Sequence, residues 1–385
     1  MTAQPSAIGF APNEDPFVVQ HGGFYRRWLS MLDDVDELKA IVARIEATTE
    51  DKWVPLWHAA GKRYEDEGDR LAAAGAQDKA RAAFLKAKTF YSIGRFPSEI
   101  TPVKAKISAD CARAYRKASE HLDPPLEVVE VTCEGKSIRS HFRAPESRQP
   151  VPAVLIMCGS DMFKEDRGWA GEMALAAGLA SLVMDAPGTG ENPFPWAPES
   201  VKAWVAAIDW IAARPEVNSQ QIGAFGISRG GYSVMQLAGT YPEMVRAVVA
   251  NAGHPFGYKM TQEEKQAVVD ARNARATFAF GAPGGPQTFE QWSLDYEDEQ
   301  FKRWTLSEQG ILDRITQPVL MINGKHDHLA PVGNIYFMLE NGPVGGREAR
   351  IYPDDGHCAF KHQKEWGPAS FAWLHEKLTR PPTRA

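Results

Sequence analysis

The chain has 385 residues, which at roughly 150 residues per domain corresponds to two or three domains. Its apolar fraction of 44% and charged fraction of 24% are those of an ordinary globular protein, and they exclude disordered, collagen-like and disulfide-scaffold classes. The formal net charge of −6 offers no general electrostatic attraction to nucleic acid or to anionic lipid.

Neither a membrane span nor a secretory signal is predicted. The longest apolar run, Met173 to Met184, has 12 residues, fewer than the roughly 18 needed to cross a bilayer. The N-terminal segment has neither the basic region nor the apolar core of a secretory signal. Four cysteines without C-x-x-C spacing favour reduced thiols over a metal ribbon or a redox motif. We therefore expect a cytoplasmic protein.

Apolar residues recur at spacings of three and four up to about residue 122, which predicts a helical region. The first stripe runs from Phe24 to Ile45, and Asp33 or Asp34 is predicted to cap a break within it. Further helices are predicted at 53–74, 77–91 and 102–122. No segment of this region has the alternating pattern of a strand.

The pattern changes at residue 124, where two short β-branched runs joined by a Glu-Gly turn predict a hairpin. Beyond it, apolar strands alternate with helices predicted at 168–178, 201–214, 231–241 and 368–378. The strand sequences are PAVLIMCGS, LASLVMDAPG, QIGAFGIS, VRAVVANAG, QPVLMINGKHD and REARIYPDDGH. This alternation is typical of a mostly parallel sheet covered by helices on both faces, so the fold class is α/β.

A candidate nucleophile lies where one predicted strand meets a helix. The pentapeptide GISRG at 226–230 matches G-x-S-x-G, in which a tight turn lifts the serine hydroxyl above the sheet. Such a serine needs a histidine that accepts its proton and an acid that orients the histidine. Asp327 and His357 follow the ends of later strands in the expected order. We predict the triad Ser228, Asp327 and His357.

Other titratable residues near these positions have simpler interpretations. Asp354 and Asp355 are so close in sequence to the predicted histidine that they are predicted as turn residues rather than as its acid. His326 and His328 flank Asp327, but neighbouring side chains at a strand end point in opposite directions and no further ligand completes a set. No metal site is predicted.

Acyl transfer also needs backbone N–H groups that hold the developing oxyanion. The predicted donors are Arg229 and, in the loop after the third strand, Ser160 or Asp161. The carboxyl of Asp161 would repel an oxyanion, so it must bind a substrate hydroxyl, pair with a cation or be protonated; a loop-capping role also stays open. The predicted substrate-binding residues are Asp161, Met162, Phe163, His254 and Tyr232.

Several motifs together resemble one branch of the α/β-hydrolases. They are SDMFKED at 160–166, DAPGTGE at 185–191, GISRGGY at 226–232, GKHD at 324–327 and DDGH at 354–357. The branch contains 2,6-dihydroxypseudooxynicotine hydrolase, the fungal polyketide-shortening hydrolases of the yellowish-green type and the FrsA-like esterases. The resemblance covers most of the chain, because that branch also carries a helical region before the hydrolase domain.

The resemblance implies an α/β-hydrolase fold and a serine-dependent hydrolase that in several members cuts a carbon–carbon bond next to a ketone. It places Ser228, Asp327 and His357 at the triad positions. It also implies a substrate-side role for Asp161, where the nicotine-pathway enzyme has a glutamate. This sequence departs from the branch at that aspartate and at Arg229, where a leucine is expected.

We assign residues 1–122 to a helical cap region, 123–380 to an α/β-hydrolase catalytic domain with a lid inserted at 255–310, and 381–385 to a flexible tail. The predicted function is serine hydrolysis of a carbonyl substrate by acyl transfer. The bond is a carbon–carbon bond of a β-diketone, acyl-phenol or polyketide-like compound, or a carboxylic ester. An acyltransferase with the same triad and a non-catalytic binding protein on a hydrolase fold are the alternatives.

The expected partner is a small-molecule substrate, with no nucleic acid and no membrane, and a homodimer is left open. No cofactor is predicted, because the Gly-x-Gly of DAPGTGE lacks the third glycine of a dinucleotide fingerprint.

Overall fold

The structure, a computed structural model, describes residues 14–22, 25–32, 34–96, 101–280, 292–343 and 345–380. Phe24 and Asp33 of the first predicted stripe, and the predicted tail at 381–385, lie outside these residues.

Helices alone precede the first strand in the described part of the chain. They are α1 Pro16–His21, α2 Tyr25–Leu29, α3 Asp36–Val42, α4 Glu50–Ala73, α5 Gln77–Arg95 and α6 Pro102–Ser119. The three long helices agree with the predicted ones to within a few residues. The predicted first stripe is divided between α2 and α3. Thr101 begins α6 as its N-cap, since its hydroxyl accepts from the Lys104 amide and Pro102 suits the first helical position.

Large aromatic side chains form the core of this helical region. Trp28, Trp53, Trp57 and Tyr91 are each at most 2% exposed. The rings of Trp53 and Trp57 lie 5.2 Å apart, one helical turn from each other on α4. Trp53 and Trp57 are therefore interior residues of the helical region.

One sheet of eight strands follows in the described residues. The strands are β1 Glu127–Cys133, β2 Lys136–Arg143, β3 Val151–Met157, β4 Ala180–Met184, β5 Val217–Ile227, β6 Val248–Asn251, β7 Val319–Gly324 and β8 Arg347–Tyr352. Their order is β1-β2-β4-β3-β5-β6-β7-β8. The predicted hairpin β1–β2 and the pair β2–β4 are antiparallel, and every other pair is parallel.

The sheet order brings two loops together. The chain leaves β3 toward β4 on one side and later returns to β5 on the other side, so β3 and β5 are neighbours. Their ends are in register, with Met157 opposite Gly226. Ligand sites in open α/β sheets form where the strand order reverses in this way, outside the carboxyl ends of the strands.

Helices cover both faces of the sheet. They are α7 Gly168–Ala176, α8 Val201–Ala212, α9 Arg229–Thr240, α10 Gln262–Phe280, α11 Leu294–Trp304, α12 Gly333–Glu340 and α13 Gln363–Thr379. Successive residues of β3 contribute to opposite faces: Leu155 packs in a core with Trp204, and Ile156 packs in a second core with Trp366. Helices α10 and α11 lie between β6 and β7, within the predicted lid.

The last helix begins earlier than expected. The sequence predicts a start at Pro368, but α13 begins at Gln363 and contains Pro368 in its interior. The fully buried Trp366 accounts for the added turn, because its indole Nε1 donates to the carbonyl of Ala359 at 2.7 Å. Tertiary packing thus overrides the local tendency of proline to start a helix. Among the described residues, no helix is both long and apolar enough to cross a bilayer.

Candidate active site

Ser228 lies in the tight turn between β5 and α9. Its backbone has φ 58° and ψ −118°, a conformation that is strained for a side-chain-bearing residue. Two glycines permit the turn. A Cβ at position 226 would lie 2.0 Å from the carbonyl oxygen of Gly230, and one at position 230 would lie 2.2 Å from that of Met157. The G-x-S-x-G spacing is therefore a steric requirement of this strand-to-helix junction.

The three predicted triad residues come together at the carboxyl edge of the sheet. The Ser228 Oγ lies 2.9 Å from Nε2 of His357. The Nδ1 of the same ring lies 2.8 Å from Oδ2 of Asp327. In this arrangement the serine hydroxyl can donate to the imidazole, and the imidazole can donate to a carboxylate that orients it.

Asp327 is held by a polar residue that sequence reasoning missed. Asn323 Nδ2 donates to Oδ2 of Asp327 at 2.8 Å, while the amides of Leu329 and Ala330 donate to Oδ1. The Oδ1 of Asn323 accepts from the amide of Cys358 at 3.3 Å, directly after the histidine. Asn323 therefore joins the loop of Asp327 to the loop of His357. Its position as a polar residue near the end of the apolar strand β7 is the signal that could have found it.

The buried carboxylate and imidazole shift each other's pKa. Burial opposes ionisation of Asp327, but the charge of His357 and the hydrogen bonds to the carboxylate lower its pKa. Burial likewise disfavours a charged His357, yet the Asp327 carboxylate raises the pKa of His357 well above its usual value. The site therefore stabilises the imidazolium, which is the form that a histidine takes when it acts as a general base.

Asp354 and Asp355, the other carboxylates near His357 in sequence, have local partners. Asp355 Oδ1 accepts from the amide of Gly356, and its Oδ2 accepts from the amide of Lys361. Asp354 pairs with His362 at 2.8 Å. These contacts are those of turn residues, as the sequence predicts.

The histidines beside Asp327 do not form a metal-binding group. His326 Nε2 lies 3.0 Å from the carbonyl oxygen of Pro353. Over the described ranges of the chain, no three or more His, Cys, Asp or Glu side chains are arranged to hold a metal ion.

A cavity lies against the predicted triad. Ser228 and His357 line it together with Ser160 and Asp161 of the loop after β3. Arg229 is the first residue of α9, so its amide belongs to the positive end of that helix. The predicted oxyanion donors thus come from the two loops that the β3–β5 pairing brings together.

Asp161 pairs with a cation that the sequence did not indicate. Its Oδ2 accepts from Nη1 of Arg27 at 3.0 Å, and both side chains line the cavity. Arg27 belongs to α2, so the helical region supplies part of the cavity wall. No local pattern links residues 134 positions apart. Of the roles left open for Asp161, pairing with a cation is observed in the structure.

Of the four remaining predicted substrate-binding residues, one lines the cavity and three do not. Met162 lines the cavity, whereas Phe163 does not. Phe163 is buried beneath the guanidinium of Arg95, which lies 4.0 Å from the ring centroid. His254 does not line the cavity, and burial lowers its pKa to about 3.

Tyr232 is a buried residue of α9 and does not line the cavity. Its ring packs edge-on against Trp196 and Trp304, which stack on each other at 4.7 Å. The guanidinium of Arg229 lies over the first of these partner rings, 4.6 Å from the centroid of Trp196. This aromatic cluster connects α11 of the predicted lid to α9, the helix that follows Ser228.

A buried network of charges connects the helical region to the loop after β3. Asp166 lies 2.6 Å from Nη2 of Arg95 and 3.4 Å from Nζ of Lys88, both on α5. The same carboxylate accepts from the amide of Phe163 at 3.1 Å. This contact fixes the loop that carries Ser160 and Asp161 onto the helical region.

The network continues into the loop after β4. Lys164 lies 3.0 Å from both Glu165 and Asp185 and 2.6 Å from Glu191. Burial opposes ionisation of Glu165, but Lys164 and Arg95 lower its pKa. These contacts explain why SDMFKED and DAPGTGE occur together, because their charged residues pair across two neighbouring loops.

Comparisons with known proteins agree with this fold. A family described as "Esterase FrsA-like" matches residues 44–351. The chain is 24% identical over 337 residues to 2,6-dihydropseudooxynicotine hydrolase of Paenarthrobacter nicotinovorans, covering 85% of each chain. It is 22% identical to the esterase FrsA of Photobacterium profundum, covering 92% of this chain and 88% of the relative.

A solved structure shows the same fold. The crystal structure of the 2,6-dihydroxy-pseudo-oxynicotine hydrolase matches with a TM-score of 0.74 at 21% identity. The match covers 92% of this chain and 96% of that one. The helical region and the sheet are therefore shared together, and the predicted α/β-hydrolase fold is confirmed.

Proposed function

Because the chain belongs to the FrsA-like esterase family and is an α/β-hydrolase enzyme, we propose that Ser228, His357 and Asp327 hydrolyse a carbonyl substrate through an acyl-enzyme. The observation that carries the proposal is the continuous contact from Ser228 Oγ to His357 at 2.9 Å and from His357 to Asp327 at 2.8 Å. The cavity that Ser228 and His357 line lies directly beside the proposed nucleophile.

The first half of the reaction forms the acyl-enzyme. Ser228 Oγ attacks the substrate carbonyl carbon while Nε2 of His357 takes the hydroxyl proton. The amides of Arg229 and of the Ser160–Asp161 loop hold the developing oxyanion. When the tetrahedral intermediate collapses, His357 gives its proton to the leaving group. Asp327 keeps its charge throughout and stabilises the imidazolium.

The second half releases the acid. Water attacks the acyl carbon, His357 takes a proton from that water, and the same proton returns to Ser228 Oγ as the ester bond to the enzyme breaks. No cofactor enters these steps.

We propose either a carboxylic ester or a carbon–carbon bond next to a ketone as the bond that is cut. The two reactions share every step up to the leaving group. A carbon leaving group must be a stabilised carbanion, so the ketone substrate would be a β-diketone or an acyl-phenol, whose product is an enolate or phenolate equivalent. His357 would then protonate carbon instead of oxygen.

A fluorophosphonate probe tests the nucleophile. The native protein should be labelled at Ser228, and Ser228→Ala should lose the label while keeping its circular dichroism spectrum. Ser219→Ala, which changes an exposed serine of β5, is the matched control and should be labelled normally. Labelling of Ser228→Ala at the native rate would overturn the assignment.

Product analysis then separates the substrate classes. Esters and β-diketones are incubated with the enzyme in ¹⁸O-water, and the products are identified by mass spectrometry. One ¹⁸O atom in the released acid indicates hydrolysis. Transfer of the acyl group to an added alcohol or amine in preference to water would instead favour the acyltransferase alternative.

A further inference from the structure

Arg167 is a buried cation in the wall of the cavity. It ends the short 3₁₀ helix Lys164–Arg167, between the loop after β3 and α7, and its exposed fraction is 2%. Arg167 lines the same cavity as Ser228 and His357. Neither the sequence motifs nor the proposed reaction assigns it a role.

The guanidinium of Arg167 has no acidic partner within the described ranges. Its one polar contact there joins Nη1 to the sulfur of Met162 at 3.8 Å. Its Nε is enclosed and has no acceptor. A thioether is a weak acceptor, so most of the donor capacity of this side chain is unused. An ionised group in this state is costly, because burial removes its hydration without replacing it.

The neighbouring charges are already matched with each other. Arg27, the other arginine of the cavity wall, is paired with Asp161. The acids that precede Arg167 in sequence are engaged as well, since Glu165 and Asp166 pair with Arg95. Arg167 therefore leaves one positive charge in the cavity wall without a counter-charge from the described residues.

We propose that Arg167 binds a carboxylate of the substrate, so that the enzyme acts on small carbonyl compounds carrying a single negative charge. A guanidinium presents two parallel N–H donors that match the two oxygens of a carboxylate. Because Arg167 alone lacks a counter-charge among the described residues of the cavity wall, the matching substrate would carry a single negative charge. The same cavity is lined by Ser228 and His357, so a carboxylate held at Arg167 would lie in the cavity that the nucleophile faces.

This inference rests on the proposed function for its reacting bond and extends it to the substrate class. The carboxylate would be the group that orients the substrate, with the scissile carbonyl placed at Ser228. Arg167 is thereby a specificity-determining residue and takes no part in proton transfer.

A matched pair of substrates tests the proposal. Mono-4-nitrophenyl glutarate carries a free carboxylate, and its methyl ester replaces that carboxylate with a neutral ester group. We expect the native enzyme to prefer the acid in kcat/KM by at least about 10-fold, because a buried charge pair is lost with the ester. Arg167→Met should reduce this preference at least about 10-fold, and Arg167→Lys should retain part of it.

The control makes the same arginine-to-methionine substitution at an exposed position. Arg148→Met alters an exposed arginine of the β2–β3 connection and should keep the native preference. Equal loss of activity toward both esters in Arg167→Met, or no preference in the native enzyme, would overturn the inference.

A binding measurement separates this inference from the proposed function. Monomethyl glutarate and dimethyl glutarate are titrated into Ser228→Ala protein by calorimetry, so that no turnover is required. The acid should bind at least about 10-fold more tightly, and the added change Arg167→Met or Arg167→Lys should reduce that difference. Equal binding of the two compounds overturns the carboxylate site even when Ser228 is labelled. Selective binding without labelling of Ser228 would overturn the proposed function alone.

Discussion

Arg27 and Asp161 form an ion pair of 3.0 Å across the contact between helix α2 and the loop after β3. Arg27 belongs to the helical region, and Asp161 belongs to the loop that carries a predicted oxyanion donor. Both side chains line the cavity beside Ser228. The helical region therefore forms part of the wall of the candidate active site, and changes in either partner should be measurable in both stability and activity.

Breaking this ion pair should destabilise the protein. In Asp161→Asn, the Arg27 guanidinium loses its charged partner while the shape of the side chain is kept, so the free energy of unfolding should fall by about 1 to 3 kcal/mol. The double variant Asp161→Asn/Arg27→Met should lose less than the sum of the single variants, with a coupling of about 1 kcal/mol. Urea unfolding of the four proteins measures this; strictly additive losses would contradict a direct interaction.

The pH dependence of activity should report the raised pKa of His357. The base acts when neutral, so kcat/KM should increase as the pH rises through the pKa of His357, with a midpoint above 6.5. Asp327→Asn removes the charge that raises this pKa, so the midpoint should move down and kcat should fall about 10⁴-fold. Activity on 4-nitrophenyl acetate from pH 5 to 10 measures both effects.

The control for that experiment is Asp209→Asn, which makes the same change on the exposed face of α8. It should keep both the native midpoint and the native kcat. A native midpoint at or below 6.5 would show that Asp327 does not stabilise the imidazolium.

The buried network between the helical region and the loop after β3 should contribute far more than a surface ion pair. Arg95→Met leaves Asp166 buried with one cation at 3.4 Å, so the free energy of unfolding should fall by about 3 to 5 kcal/mol. Lys62→Met, which removes an exposed ion pair on α4, should change it by less than about 0.5 kcal/mol. Denaturation midpoints of the two variants compare them, and similar small losses would contradict a stabilising role for the network.

Stability should also depend on pH through His141, which is buried on β2 and stacked on Tyr115 at 5.2 Å. Burial lowers its pKa from 6.5 to about 3. Below pH 6.5 the unfolded chain therefore binds a proton at His141 that the folded chain does not bind. The contribution of His141 to the free energy of unfolding is complete above pH 6.5 and is lost as the pH falls toward 3.

His141→Phe keeps the stacked ring and removes the titration. Between pH 7.0 and 5.5 the native protein should lose about 1.2 kcal/mol more unfolding free energy than His141→Phe. Urea unfolding at the two pH values measures this difference. Parallel losses in the two proteins would place the pH dependence elsewhere.

Much of the fold was predictable because its signals are local. Long apolar runs, turn residues and changes of period indicated the helical region, the hairpin and the parallel strands. The proximity of Ser228, Asp327 and His357 was predictable for the same reason, because each residue follows a strand and parallel strands end at one edge of a sheet. The start of α13 was placed too late, because the burial of Trp366 is a tertiary effect.

By itself, then, the sequence determined the hydrolase fold, the strand-to-helix turn at Ser228 and the order of the predicted triad. Only the tertiary structure decided what surrounds them: the contact of Arg27 with Asp161, the support of Asp327 by Asn323, and the unmatched charge of Arg167 in the cavity wall. The reason is physical. Backbone geometry follows from neighbouring residues, whereas the pairing of buried charges depends on how the helical region packs against the sheet loops, which no local pattern encodes.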